Sequence, residues 1–203
     1  SVTADFTHDT PEQLRAALRK LRELLIDCDK LVTRNRIFFD RMVDVGVMSQ
    51  EDAISYGLTG PLLRATGVKY DVRKAQPYLV YDRFDFEVPL GTAGDNYDRF
   101  LCRFNEIEQS ARIIEQALDT IPPGPIRIDD PRYILPEKQR VYGSIEGLMN
   151  HFKLIIEGPK VPQGEAYQAV EGANGELGFY VVSDGSGRPY RVRVRPPCFL
   201  GMS

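Results

Sequence analysis

The run of residues that follows Asp95 constrains this chain more than any other feature. Tyr97, Leu101, Phe104, Ile107, Ala111, Ile114, Leu118 and Ile121 recur at spacings of three and four. That period predicts one apolar stripe along an α-helix. Asp95 stands at the N-cap position, and both Asp95 and Asp98 sit at the positive end of the helix dipole. Twenty-five residues at about 1.5 Å each make a helix about 37 Å long. A stripe of that length sets the scale of the body packed around it.

Upstream, Thr10-Pro11-Glu12-Gln13 reads as a helix start, with Thr10 as cap, Pro11 in the first turn and Gln13 three residues on. Leu14, Leu18, Leu21 and Leu25 continue it, and Leu31, Asn35, Phe38 and Met42 predict a second helix or a long continuation. "MSQEDAISYG" predicts a compact helix capped by Ser49 and stopped at Gly57. "TGPLLRATG" repeats that device with Thr59 and Gly67. Residues 68–96 have no helical period and are rich in aromatics and charges, which predicts a long ordered loop with a short strand near Phe84 to Val88. "IPPGPIRIDDPRYILP" is too rich in proline for helix. Ser144 to Glu157 predicts a further helix, stopped by Gly158 and Pro159.

From Tyr167 the period changes to two. "YQAVE", "GELGFYVVSD" and "RPYRVRVR" predict strands, joined by turns at "GANG" and "DGSG". The expected fold class is therefore α+β: a helix-dominated bundle over residues 10–158 and a small C-terminal antiparallel meander over 164–197. All of residues 1–203 are read as one piece of a single domain.

Composition narrows the function. A net charge of -3 and a pI near 5.5 give no support to nucleic-acid binding. No apolar run approaches the ~20 residues that span a bilayer. The polar N-terminal residues do not make a signal peptide. Cys28, Cys102 and Cys198 are odd in number and none pairs at CxxC spacing, which argues against a disulfide framework and against a zinc or iron–sulfur site, leaving buried or idle thiols. With only His8 and His151, no Ser-His-Asp arrangement assembles. No metal ligand set and no catalytic residue is predicted.

One stretch stands apart. "LLRATGVKYDVRKAQPY" places Arg64, Asp71, Arg73 and Lys74 among apolar residues, flanked by Tyr70 and Tyr78. A buried unpaired charge costs several kcal/mol, so some of these charges must pair. The stretch reads either as an ionisable network or inter-subunit contact, or as a structural salt-bridge loop. On the long helix, Arg103 and Glu106 stand three apart and either pair or lie on a solvated face. The acidic groups Asp82/Asp85/Glu87 and Asp129/Asp130 lie among arginines, which favours salt bridging. Arg191, Arg193 and Arg195 either face an acidic neighbour or guard an edge strand against self-pairing.

The segment from "NRIFFDRMVDVGVMSQ" through "TGPLLRATGVKYDVRKAQPY" to "NEIEQSARIIEQAL" resembles the 49-kDa-type, quinone-site subunit family of proton-pumping NADH:quinone oxidoreductase, respiratory complex I. "EGPKVPQGEAYQAVEGANGELGFYVVSDGSGRPYRVRVRPPCF" is similar to the same family further on. The resemblance implies a fold like the large subunit of nickel–iron hydrogenases, without the metal, since both CxxC pairs are missing. It implies quinone reduction with electrons from NADH through FMN and iron–sulfur clusters held by other subunits, with no cofactor bound by this chain. It further implies a neighbour carrying the terminal cluster and a peripheral place on the cytoplasmic side of the inner membrane. The family's quinone-contacting His and Tyr belong to an upstream region whose motifs do not occur here, so that role passes to no residue of this chain. Arg64, Asp71 and Arg73, with Arg103 and Glu106, are expected to brace the electrostatics behind the quinone cavity or to meet another subunit. The apolar close "PCFLGMS" and the start on Ser1 are what a truncated central and late portion of such a subunit would give. A non-catalytic scaffold module and a membrane-bound hydrogenase relative remain open as other readings.

Overall fold

The computed structural model describes residues 5–126, 128 and 130–201. Helix α1, Thr10–Cys28, runs on through a wider π-helical turn over Asp29–Thr33. Asp9 rather than Thr10 holds the cap position, and the Thr10 hydroxyl accepts from the Thr7 amide at 3.2 Å. Helix α2, Arg36–Met42, is separate: Asn35 is its cap, accepting from the amides of Ile37 and Phe38, and not a member of an apolar stripe. Helix α3, Gln50–Ser55, is capped by Ser49 as its sequence predicts, and the chain leaves it through Gly57 at φ 66°. Helices α4, Pro61–Arg64, and α5, Val72–Ala75, are single turns. Gly60 caps α4, so Thr59 is free for another task. Phe84 to Val88 form no strand; the amides of Asp85 and Glu87 bond instead to the side chains of Gln116 and Gln109.

Helix α6, Asn96–Thr120, is the predicted long helix, capped by the Asp95 carboxylate on the Asp98 amide at 2.8 Å. Helices α1, α2 and α4 all pack against it. Arg22 of α1 bonds to Glu108 and Glu115, and Arg15 to Asp119, so the two long helices run antiparallel. The buried residues of α6 are Cys102, Ala111 and Ile113, with Ala111 about 180° around the helix from Cys102 at about 100° per residue. Ile107 and Ile114, expected inside, are 38% and 40% exposed. Ala111 of the same stripe is buried and Tyr97, Leu101, Phe104 and Leu118 are half-buried, so the stripe is covered in part, while Cys102 and Ile113 are buried on a second face. Helix α1, through Arg22 on Glu108, and α4, through Arg64 on Glu106, cover the helix from two sides.

Helices α7, Lys138–Gly143, and α8, Ile145–Ile156, pack on each other. Only α8, capped by Ser144, is evident in sequence. Strands β1, Gly164–Gly172, β2, Gly175–Ser183, and β3, Arg191–Arg195, form an antiparallel sheet in the order β1-β2-β3. The chain separates into two compact units. The larger takes Phe6–Pro122, Ala169–Leu177 and the residues from Arg195, and its apolar centre is Ala53, Leu58 and Leu63. The smaller takes Pro123–Gln168 and Gly178–Val194. Among the described residues no helix is long and apolar enough to cross a membrane.

Candidate functional site

The site lies wholly in the larger unit, around a fully buried arginine. Arg64 ends the one-turn helix α4 and is 1% exposed. Gly60, at φ 69° and ψ -151°, lets the chain turn into α4 against the backbone of Asn174 and Gly175. A side chain at residue 60 would collide there, so the tight turn and the β1–β2 hairpin fix each other. The freed Thr59 hydroxyl accepts from the Glu176 amide at 3.1 Å and ties down the same hairpin.

Three carboxylates and a carbonyl surround the Arg64 guanidinium. Nε donates to Glu106 Oε1 at 2.7 Å, and Nη1 donates to Glu171 Oε1 at 2.9 Å and to the Tyr70 carbonyl at 3.0 Å. Asp71 Oδ2 stands 3.9 Å from Nη1. Asp71 caps α5 and is itself gripped by Arg73, through Nε at 3.0 Å, Nη2 at 2.7 Å and the backbone amide at 2.9 Å. Arg73 also lies over the ring of Phe86, at 4.8 Å from its centroid. Glu171 Oε2 accepts from the Val72 amide at 3.0 Å, and the backbone amide of Glu171, on the edge strand β1, donates to the Tyr78 hydroxyl at 3.0 Å. Beside this network the Tyr70 hydroxyl donates to Glu176 at 2.9 Å, and Arg195 reaches the Glu176 and Gly57 carbonyls at 3.0 and 2.7 Å.

The electrostatics follow from burial. Desolvation works against the Arg64 charge, but attraction and hydrogen bonds from Glu106 and Glu171 outweigh it and hold its pKa above the ordinary arginine value. Desolvation raises the pKa of Glu106, and Arg64 only partly offsets it. Burial, with the hydrogen bond to Glu176, pushes the Tyr70 hydroxyl up to about 12. Burial also pushes the Cys102 thiol up to about 11, with Glu106 adding to the shift.

Of the residues singled out in sequence, Arg64, Asp71, Arg73 and Glu106 come together. Arg103 does not join them. It is exposed, its Nη1 lies 3.5 Å from the Arg99 carbonyl, and Glu106 pairs with Arg64 instead. Lys74 sits over Phe86 at 4.0 Å and outside the buried cluster. Sequence reasoning missed Glu171 and Glu176. Each occupies an ordinary polar position in an alternating strand, and its only signal is a carboxylate flanking the "GANG" turn. Asp85 pairs with Arg112, and Asp130 with Arg132, as the salt-bridging reading expects; Asp129 lies outside the described residues. Arg195 turns back onto this chain's own Glu176, while Arg191 and Arg193 are exposed on the edge strand β3. Cys28 and Cys198 are exposed, so among the three free thiols burial holds for Cys102 alone.

The family model for the respiratory-chain NADH dehydrogenase 49 kDa subunit matches residues 1–203. The chain belongs to that family. The 49 kDa family fits a fold like the large subunit of nickel–iron hydrogenases, in agreement with the helix-rich body and its small sheet. The chain is 60% identical over 194 residues to a D-type subunit of NADH-quinone oxidoreductase from Sorangium cellulosum, covering 95% of this chain and 48% of that protein. It is 62% identical over 176 residues to the D-type subunit of Myxococcus xanthus, covering 87% and 42% respectively. The D-type subunit of Methylacidiphilum infernorum is 48% identical over 202 residues, with 100% of this chain and 48% of that protein covered. The chain thus spans about half the length of the curated 49 kDa relatives it matches.

Proposed function

We propose that this chain is part of the quinone-reducing, peripheral-arm subunit of a proton-pumping NADH:quinone oxidoreductase. The observation that carries the reading is the identity, 48% to 62%, to relatives named as the D-type subunit of NADH-quinone oxidoreductase. Electrons come from NADH through FMN and iron–sulfur clusters bound by other subunits; this chain binds none of these cofactors. Its nearest functional neighbour is the subunit holding the terminal cluster, and the assembly lies on the cytoplasmic side of the inner membrane. Residues 1–203 form one part of a single domain of that quinone-reducing subunit.

Within it, Arg64, Asp71, Arg73 and Glu106 brace the charge environment behind the quinone cavity. Reduction of a quinone to quinol takes up two electrons and two protons, so a site that performs it must keep the geometry of its charged groups fixed while protons arrive. Two cations locked to three carboxylates, with Arg73 also lying over the Phe86 ring, do this: their orientations are set by hydrogen bonds and do not reorganise as charge changes nearby. Exposed Arg103 suits a contact with a neighbouring subunit. Replacing Asp71 by Asn in the assembled complex keeps the shape and removes one charge. The expected result is slower quinone reduction at unchanged subunit content. Unchanged activity in a fully assembled D71N complex would remove the electrostatic role.

A further inference from the structure

The five charges around Arg64 do not balance. Arg64 and Arg73 carry two positive charges, and Asp71, Glu106 and Glu171 three negative ones. The carboxylates are unequally served. Asp71 accepts three hydrogen bonds from Arg73, and Glu171 accepts one from Arg64 and one from the Val72 amide. Glu106 has the single bond from Arg64 Nε. It is also the carboxylate nearest to water, with 16% of its side chain exposed against 1% and 4% for the others.

That exposed part of Glu106 lines an open recess of about 430 Å³ between α1, α6 and the β1–β2 turn. Leu21, Ile107, Ala111 and Ile114 make its apolar walls, and Arg103, Ser110, Ala173 and Asn174 its remaining lining. The two half-exposed isoleucines of α6, Ile107 and Ile114, thus stand in the wall of a recess beside a buried ion pair. The charged groups around Glu106 are few. Arg64 comes from α4, Asp71 and Arg73 from the α5 turn, Glu171 from β1, and Cys102 and Arg103 from α6 itself. On α1, Arg22 is occupied by Glu108 and Glu115, and Arg15 by Asp119.

We propose that Glu106 is a proton-exchanging site served from this recess, so that the buried network alternates between one net negative charge and none. A hydronium ion in the recess gives its proton to the Glu106 carboxylate and leaves as water; the reverse step returns it. Arg64 keeps its bonds to Glu171 and the Tyr70 carbonyl in both states, so the network changes charge without unlocking. Burial, which favours the neutral acid, works in the same direction.

The test reads the carboxyl group itself in the full-length subunit without turnover, so its failure is separable from failure of the quinone-reductase reading. Infrared difference spectra across a pH titration should contain a protonated-carboxyl band that persists above the usual carboxylate range. The band should vanish in E106Q and persist in E171Q. A173L, on an exposed turn, should narrow the recess and slow deuterium exchange of that band several-fold while leaving its titration in place. A band unchanged in E106Q, or an exchange rate indifferent to A173L in a folded protein, overturns the proposal.

Discussion

Arg64→Met tests the central packing argument most directly. Methionine fills much of the arginine stem but leaves Glu106 and Glu171 without their shared cation, in a place where Arg64 is 1% exposed. The arginine donates two charge-assisted bonds, at 2.7 and 2.9 Å, each contributing about 1.5–3 kcal/mol. Stranding a buried charge by removing its partner costs about 3–5 kcal/mol, in line with that sum. Divided by a urea slope of about 2 kcal/mol per M, the midpoint should fall by about 1.5–2.5 M. Urea unfolding followed by circular dichroism measures it. The sign of the pH dependence is fixed as well. The pKa of Glu106 is already raised by burial, and removal of Arg64 raises it further. A group that binds its proton more tightly folded than unfolded contributes stability that is present at acid pH and lost as pH rises through the folded pKa. The deficit of R64M should therefore widen from acid to neutral pH, and R64M/E106Q/E171Q should recover part of it. A loss under about 1 kcal/mol, or a deficit independent of pH, would refute the assignment of Arg64 as the cation that compensates these carboxylates.

Three other variants probe the surrounding elements. Gly60→Ala should destabilise by at least about 2 kcal/mol in thermal or urea unfolding, because φ is 69° and the new methyl group meets the Asn174 and Gly175 backbone. Leu79 is 88% exposed and held at φ 53°, so Leu79→Gly should raise the unfolding free energy, read from urea unfolding, by about 0.5–1 kcal/mol once the entropy of glycine is subtracted. The hydrogen bond from Arg22 holds Glu115 below the usual carboxylate range. Its contribution is present above that range and lost as pH falls through the lowered pKa, so Arg22→Gln should flatten the acid limb of the stability profile.

Much of the local structure was written in neighbouring residues. Asp95 and Ser49 cap helices because their side chains reach amides three residues ahead, and the "GANG" turn brings β1 and β2 together because little chain separates them. Interactions that close over three to five residues depend on composition and spacing alone. The long helix α6 was legible for the same reason, and the stripe it buries was legible in part. Ala111 of that stripe is buried, but the burial of Cys102 and Ile113 on a second face, and the exposure of Ile107 and Ile114, follow only from the placement of α1 and α4.

The clustered charges of "LLRATGVKYDVRKAQPY" by themselves indicated that some of them are buried and paired, since several ionisable groups lie among apolar neighbours. Which partners they take was settled only in three dimensions. Glu106 lies 42 residues from Arg64 and Glu171 lies 107 away. Nearby arginines such as Arg103 carry the same charge and were equally good partners on paper. Coulomb attraction is blind to chain order: it acts on whichever groups the packing of α4, α6 and β1 brings within about 3 Å and out of water.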